Sequence, residues 1–525
     1  MGQIYERPSY YLITDVYQIP REIDKDLSKW NPGYFRLENI GYYYDKDKNE
    51  LRIPRGYSKI NIKRIFNTHE YIEDNNWARN EKIDIGLLTP PKDYMQEYML
   101  TFMIGKEPYS YTRGSTQLYI DMDTGGGKTY LGIATACYFQ ARCAIFIPAV
   151  SKISDQWKDT LNNFTTLKRN EYLYVHGSEM CKDVINGKYD KVKIFIIPRS
   201  TISSFVRKYD DDWNVVTKLV DAMNVDIKII DEAHMDFSTI VRIDCFTNVQ
   251  KTYYMSSSPG RSENQEEYIY YNLFKNVPKH GKKLKSKEQN HIIPLIINFK
   301  STPTPEWLKK IKTRYGTSLS KYADYLLADD GARDEFIEAY AFTVYWLLQF
   351  RRNGGKLLVI CATIAFAKEL SEITKILFPY LSMGLFVGSG KDKNKELDAD
   401  VVFSTTKGMG TGSEFINHQL TINTLTYASK IMADQISGRI RKQENRKGIY
   451  CELVNINHKI AREHYMKREP YLIKKAKNGK IITHTITNED IKLTYEFIDN
   501  KYKYDYDGRV ITSDNTYLIR RKRKK

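Results

Sequence analysis

The chain has 525 residues, 42% hydrophobic and 28% charged, a globular composition that excludes both a disordered chain and a small disulfide scaffold. Lys and Arg number 81 against 64 Asp and Glu, and the resulting +17 favours an anionic partner: nucleic acid, nucleotide or anionic lipid. Cys137, Cys143, Cys181, Cys245, Cys361 and Cys451 form no Cys-x-x-Cys pair, which argues against a zinc ribbon, a redox dithiol or a disulfide framework.

Residues 1–85 are rich in Tyr, Asn and charge. Within them, alternating apolar and polar runs in GYFRLENIGYYYDKDKNELRIPRG flank DKDKN, a pattern that predicts a β-hairpin in a small α+β domain. From 86 to 285 the short apolar runs QLYIDM, ARCAIFIPA, KVKIFIIP, VDIKIIDEAH and KTYYMSSSP alternate with helical stretches such as TYLGIATACYF. Buried β-branched runs separated by helices predict a parallel α/β sheet with ligands at the carboxyl ends of its strands. The lysine-rich FKNVPKHGKKLKSKEQNH lacks periodicity and reads as a linker or an exposed hairpin. A second α/β domain is expected over 286–460, from HIIPLIINF, YAFTVYWLLQF, GKLLVICAT, ADVVFSTT, INTLTYAS and GIYCELVNI. Residues 461–525 read as a basic C-terminal extension, strand-like at GKIITHTI. They end in Arg520, Arg521, Lys522, Arg523, Lys524 and Lys525, a solvated tail that adds nonspecific attraction to phosphate. No apolar run approaches ~18 residues and the start lacks the basic-then-apolar layout of a secretion signal, so a cytoplasmic protein is expected, in the host cytoplasm if phage or virus encoded. The 41 tyrosines accompany abundant Lys, Asn and Ile, as an AT-rich genome produces, and carry no stacking argument alone.

Two segments carry chemistry. DMDTGGGKTYLGIA follows the strand QLYI, where Gly125, Gly126 and Gly127 let backbone N–H groups and a helix N-terminus surround a β-phosphate. Lys128 would reach the β- and γ-phosphates and Thr129 would hold Mg²⁺. The strict pattern wants glycine where Met122 stands. VDIKIIDEAHMD delivers Asp231 and Glu232 to the end of an apolar strand, one to hold Mg²⁺ through water and the other to activate an attacking water.

The order of these pieces resembles superfamily 2 helicases, with Asp231-Glu232-Ala233-His234 as the DEAH box. The resemblance implies a phosphate loop at Thr124, Gly125, Gly126, Gly127, Lys128 and Thr129, and it nominates Gln96 in PPKDYMQEYMLTF to read the adenine edge. AIFIPAVSKISDQWKDTLNNF, with Pro148, Gln156 and Trp157, is similar to motif Ia; Trp157 by itself reads as a core residue. IIPRSTI looks like the next nucleic-acid contact strand, with Ser200 and Thr201 as donors. MSSSPGR resembles motif III, where Ser256 and Ser258 would bond His234 and Glu232. KLLVICATIAFAKELSEI resembles motif IV. DADVVFSTTKGMGTGSEFIN resembles motif V, where Thr405 and Thr406 would donate to phosphate and Gly412 with Ser413 or Glu414 would approach the ribose and the γ-phosphate. ASKIMADQISGRIRKQ resembles motif VI through Gln435, Gly438 and Arg439, but Lys442 stands where a second arginine is usual and Arg441 comes one position earlier. A bidentate guanidinium stabilises γ-phosphoryl charge better than an ammonium, so Arg439 and Arg441 are the candidate fingers.

What this implies is two tandem RecA-like domains that hydrolyse ATP with Mg²⁺ and move on nucleic acid through its phosphate backbone. The IPRG hairpin, the compact spacing and the Ser429-Lys430 dipeptide look like UvsW-like phage helicases, which implies DNA rather than RNA and a DNA-binding N-terminal domain. An RNA helicase or a viral transcription-related ATPase stays open. A restriction-system motor shares the core, yet no nuclease pattern of clustered acids with lysine flanks it here.

Overall fold

The computed structural model describes residues 2–31, 36–74, 81–122, 126–148, 151–256, 264–280, 292–313, 316–351, 354–387, 396–406, 418–427, 429–437, 440, 448–476 and 478–501. Residues 1–285 form one compact unit and residues 286–525 another.

The first unit begins with β1 (Gln3–Glu6), β2 (Tyr10–Ile13), α1 (Arg21–Leu27), the paired strands β3 (Ser28–Asn31) and β4 (Arg36–Asn39), β5 (Tyr43–Asp45), β6 (Glu50–Pro54), α2 (Lys59–Ile65) and β7 (Glu70–Glu73). Five of these strands make a small sheet in the order β5-β6-β2-β1-β7. The expected hairpin is its β5–β6 pair, with Asp45 opposite Glu50. DKDKN turns because Asp45 Oδ1 accepts the N–H groups of Asp47 at 3.2 Å and Lys48 at 3.1 Å, while Asn49 takes a left-handed φ of 51°. Alternation sends Ile4, Tyr11, Ile13, Leu51 and Ile53 inward, into the apolar cluster that also holds Val216, Ile240 and Phe274 of the following part of the chain.

That part contains α3 (Tyr94–Ile104), β8 (Gln117–Asp121), α4 (Lys128–Phe139), β9 (Cys143–Ile147), α5 (Ser151–Phe164), β10 (Tyr172–Tyr174), α6 (Gly177–Ile185), β11 (Ile194–Pro198), α7 (Arg199–Arg207), α8 (Asn214–Met223), β12 (Ile227–Ile230), α9 (Phe237–Cys245), β13 (Lys251–Ser256), α10 (Asn264–Phe274) and β14 (Lys279–His280). The strands form one seven-stranded parallel sheet in the order β10-β11-β9-β12-β13-β8-β14. Their apolar runs are continuous rather than alternating because helices cover both faces. Register sets the site: Ser256 lies opposite Asp121, Ile230 opposite Phe146, and the N–H of Asp231 donates to Phe146 O at 3.0 Å. The ends of β8, β12 and β13 therefore emerge on one edge.

The second unit contains β15 (Ile292–Phe299), α11 (Pro305–Ile311), the short pair β16 (Lys312–Thr313) and β17 (Gly316–Thr317), α12 (Leu319–Ala328), α13 (Asp330–Phe350), β18 (Lys356–Cys361), α14 (Ile364–Leu377), β19 (Met383–Phe386), β20 (Val401–Thr405), β21 (His418–Asn423), α15 (Lys430–Ser437), β22 (Gly448–Asn455), α16 (Lys459–Lys475), β23 (Ile482–Thr485) and α17 (Asn488–Lys501). Its sheet is again seven-stranded and parallel, ordered β19-β20-β18-β21-β22-β15-β23. The segment GKIITHTI supplies β23, and Ile498 of α17 is buried in the core of this unit. The two tandem RecA-like sheets and the small N-terminal sheet are thus present. Among the described residues no helix is long and apolar enough to cross a membrane.

Candidate nucleotide-binding site

The phosphate loop runs from β8 into α4. Gly127 caps the helix with φ 93°, a left-handed value that favours glycine, and Lys128 and Thr129 are buried at the start of a 12-residue helix. The first N–H groups of α4 lack intrahelical partners, so this end carries partial positive charge. Met122, which replaces the usual glycine, puts its side chain into the apolar core and turns its carbonyl to Lys128, whose Nζ donates to it at 3.1 Å. The same ammonium lies 3.6 Å from Glu232 Oε1.

Asp231 and Glu232 follow β12. The Asp231 carboxylate accepts from Trp157 Nε1 at 2.9 Å on Oδ2 and from its neighbour's N–H at 2.9 Å on Oδ1, which fixes its plane. Burial, reinforced by the charge of Glu232 and opposed by Lys128, holds its pKa above the ordinary carboxylate range. Glu232 has φ 46°, a left-handed conformation rare outside glycine and characteristic of functional turns. The turn is held as Ala233 N–H donates to Met255 O and Met235 N–H to Glu232 O, both at 2.9 Å. His234 Nδ1 lies 2.9 Å from Ser256 Oγ and 3.3 Å from Glu232 Oε2. The expected bond between Ser256 and His234 is therefore present, and it ties the end of β13 to the acidic turn.

Gln96 sits in the first turn of α3, where Asp93 caps the helix by accepting its N–H at 2.8 Å. Its buried amide accepts from Lys92 N–H at 3.0 Å and donates to Gly126 O at 3.3 Å, so it abuts the phosphate loop.

Three contacts escaped sequence reading. Gln156 Nε2 donates to Thr129 Oγ1 at 3.2 Å, and its neighbour Trp157, fully buried as expected of a core residue, also holds Asp231. A buried indole N–H needs an acceptor, which was the available signal. The third is Arg199, buried beneath the acidic turn, whose Nη1 donates to Asp231 O at 2.7 Å. Burial lowers its pKa, and the charges of Asp236 and Asp231 oppose that shift.

One expectation is corrected. IIPRSTI is a strand only as far as Pro198; Arg199–Arg207 is a helix that buries Thr201 and leaves Ser200 exposed. Proline fixes an extended entry and the helix starts directly after it. In the second unit Thr405 ends β20 and is buried, Gln435 lies on α15, and Ser429 Oγ accepts Met432 N–H at 3.2 Å ahead of that helix. Thr124, Gly125, Ser258, Gly412, Ser413, Glu414, Gly438, Arg439, Arg441 and Lys442 lie outside the described residues.

The donor set of the first unit fits a nucleotide with its metal: a buried ammonium, a helix N-terminus behind a half-buried glycine pair, a fixed carboxylate and a threonine hydroxyl. Among the described residues no cluster of three or more His, Cys, Asp or Glu side chains is arranged to hold a metal ion. Mg²⁺ takes one or two protein oxygens and completes its shell with water and substrate phosphates, so Thr129 with one carboxylate is the kind of donor set that it uses.

Residues 60–257 match the family model of the type III restriction enzyme res subunit. That segment carries the phosphate loop, the acidic turn and Ser256, and the match supports a superfamily 2 helicase core. No curated protein matches the chain. Among solved structures, the Hef helicase domain of Pyrococcus furiosus is 13% identical, covering 72% of this chain and 98% of its own, with a TM-score of 0.43. Dbp5 of S. cerevisiae bound to RNA and ADP BeF3 is 12% identical, covering 77% of this chain and 93% of its own, with a TM-score of 0.46.

Proposed function

We propose that this chain is an ATP-dependent DNA helicase or translocase of superfamily 2, a DEAH-box protein of the UvsW-like kind. It would couple ATP hydrolysis to movement on, or remodelling of, duplex or branched DNA in replication, recombination or repair in the cytoplasm, that of the host if the protein is phage or virus encoded. The observation that carries the reading is the 3.6 Å approach of Lys128 to Glu232 where β8 and β12 end, next to the N-terminus of α4. A lysine so placed gains from exchanging a carboxylate for the β- and γ-phosphates of ATP, and the exchange frees Glu232 to take a proton from attacking water.

Thr129 would hold Mg²⁺ directly and Asp231 would hold it through water; bound there, the ion would neutralise charge on the phosphates. Trp157 keeps the Asp231 carboxylate oriented, and Ser256 with His234 keeps Glu232 in reach. Gln96, beside Gly126, is assigned the adenine edge. Gln435, Arg439, Arg441, Gly412 and Glu414 retain their sequence-based roles within this proposal, with the two arginines as guanidinium donors. Contacts to phosphate rather than base edges make binding largely independent of sequence.

The test is ATP turnover with single-stranded, duplex or forked DNA, or RNA, as stimulator. Forked or duplex DNA is expected to stimulate most, and Lys128→Ala to abolish turnover while leaving nucleic-acid binding intact. Stimulation by RNA alone would reject the DNA reading, and no turnover with any of them would favour a binding module.

A further inference from the structure

Arg199 is a costly residue to bury: only 1% of its side chain is exposed, and a guanidinium withdrawn from water needs a compensating purpose. Its Nη1 donates to Asp231 O at 2.7 Å and lies 3.5 Å from Phe146 O, while Nε lies 3.4 Å from Asp236 Oδ2. Asp231 and Asp236 are the two ends of the acidic turn. Between them the chain adopts left-handed backbone at Glu232, φ 46°, and again at Asp236, φ 50°. Such conformations persist where the surroundings fix them, and one planar fork reaching both ends does so.

We propose that Arg199 is a positioning residue for hydrolysis: its guanidinium staples the ends of the Asp231–Asp236 turn and thereby aims the Glu232 carboxylate at the attacking water. The inference rests on reading the site as an ATPase. Arg199 acts through protein carbonyls and Asp236. Its loss therefore misdirects the base while the phosphate loop keeps its grip on nucleotide, so the defect falls on kcat and spares KM.

The experiment compares Arg199→Gln, Arg199→Lys and Asp236→Asn with wild type in full-length protein. ATPase kcat and KM are measured alongside affinity for a non-hydrolysable ATP analogue. Arg199→Gln should lose about tenfold or more in kcat, the scale of a misplaced catalytic group, with KM and analogue affinity within about twofold. Arg199→Lys, which keeps the charge and loses the fork, should recover only part of the rate. Asp236 is 49% exposed, so Asp236→Asn reads the same staple even if Arg199→Gln fails to fold, with an expected loss of about threefold. The double variant Arg199→Gln/Asp236→Asn should be no slower than Arg199→Gln alone. Wild-type kcat in Asp236→Asn and Arg199→Lys, or a loss expressed only in KM, would overturn the inference and leave the ATPase reading standing. An inactive wild-type protein would remove both.

Discussion

Trp157 and Asp231 show how much of the site depends on single hydrogen bonds. The indole N–H is the neutral donor that fixes one carboxylate oxygen at 2.9 Å, while the ring fills the core against α4. Trp157→Phe keeps most of the packing and deletes the donor, so kcat should fall about tenfold for a modest loss of stability, as when one buried hydrogen bond to a charged group is removed. Steady-state turnover and thermal melts check this, and an unchanged kcat would deny the indole its orienting role. Asp231 itself costs stability at neutral pH. Because burial and Glu232 raise its pKa, the folded protein holds that proton to higher pH than the unfolded chain does. Well below the ordinary carboxylate range both states are protonated and nothing is lost; stability falls as pH rises through the raised value. Asp231→Asn should therefore match the wild-type Tm on the acid side, exceed it at pH 8, and hydrolyse no ATP. A lower Tm at pH 8 would contradict that sign. At this scale Lys128 and Thr129 could be picked out by the glycine run before them, and Asp231, Glu232 and Ser256 because each closes or follows an apolar strand. Arg199 was not, since its partners Phe146 and Asp236 are set by the sheet order β11-β9-β12, which the sequence does not spell out.

The helix α4 shows the same dependence between elements. It is buried from Lys128 to Cys137, so it needs close neighbours on every side, and Gly132 makes room for three of them. A Cβ there would stand 2.9 Å from Trp157 Cη2 and 3.1 Å from both Ile229 Cδ1 and Met255 Cε. Those three side chains belong to α5, which carries the Asp231 donor, to β12, which leads into Asp231, and to β13, which ends at Ser256. Gly132→Ala gains helix propensity of about 1 kcal/mol, but overpacking costs typically ~1–3 kcal/mol and displaces α5 from Asp231. A net loss of stability together with reduced kcat is expected from denaturant melts and turnover; a stabilised, fully active variant would show that the gap closes without strain. The strands and the hairpin at DKDKN could be read from the sequence because their signals are local: continuous β-branched runs and an Asx turn. The helix after Pro198 could not, because seven residues of mixed polarity fit a strand end and a helix start equally well, and packing of Ile202, Phe205 and Val206 into the core decides for the helix.

At the scale of the molecule the charge of +17 divides into working and surplus parts. Several cations are consumed internally: Lys228 is fully buried against Asp244 at 2.6 Å, Arg468 against Glu452 at 2.6 Å, and Lys128 and Arg199 serve the acidic turn. Eleven further basic residues stand in KHGKKLKSK and the terminal RRKRKK, most of which lies outside the described residues. Charge of that kind grips phosphate by releasing counterions, so affinity should fall steeply with salt, by about 10³–10⁵ between 50 and 200 mM if roughly 6–10 phosphates are neutralised. Turnover without nucleic acid depends on the buried groups around Lys128, which salt screens weakly, and should change less than about twofold over the same range. Removing Arg520–Lys525 should flatten the salt slope of DNA binding and leave unstimulated kcat alone. Titration of fluorescent duplex DNA at several salt concentrations, with ATPase assays in the same buffers, separates the two parts. Parallel loss of binding and unstimulated turnover would mean that salt acts on the fold of the first unit rather than on its grip.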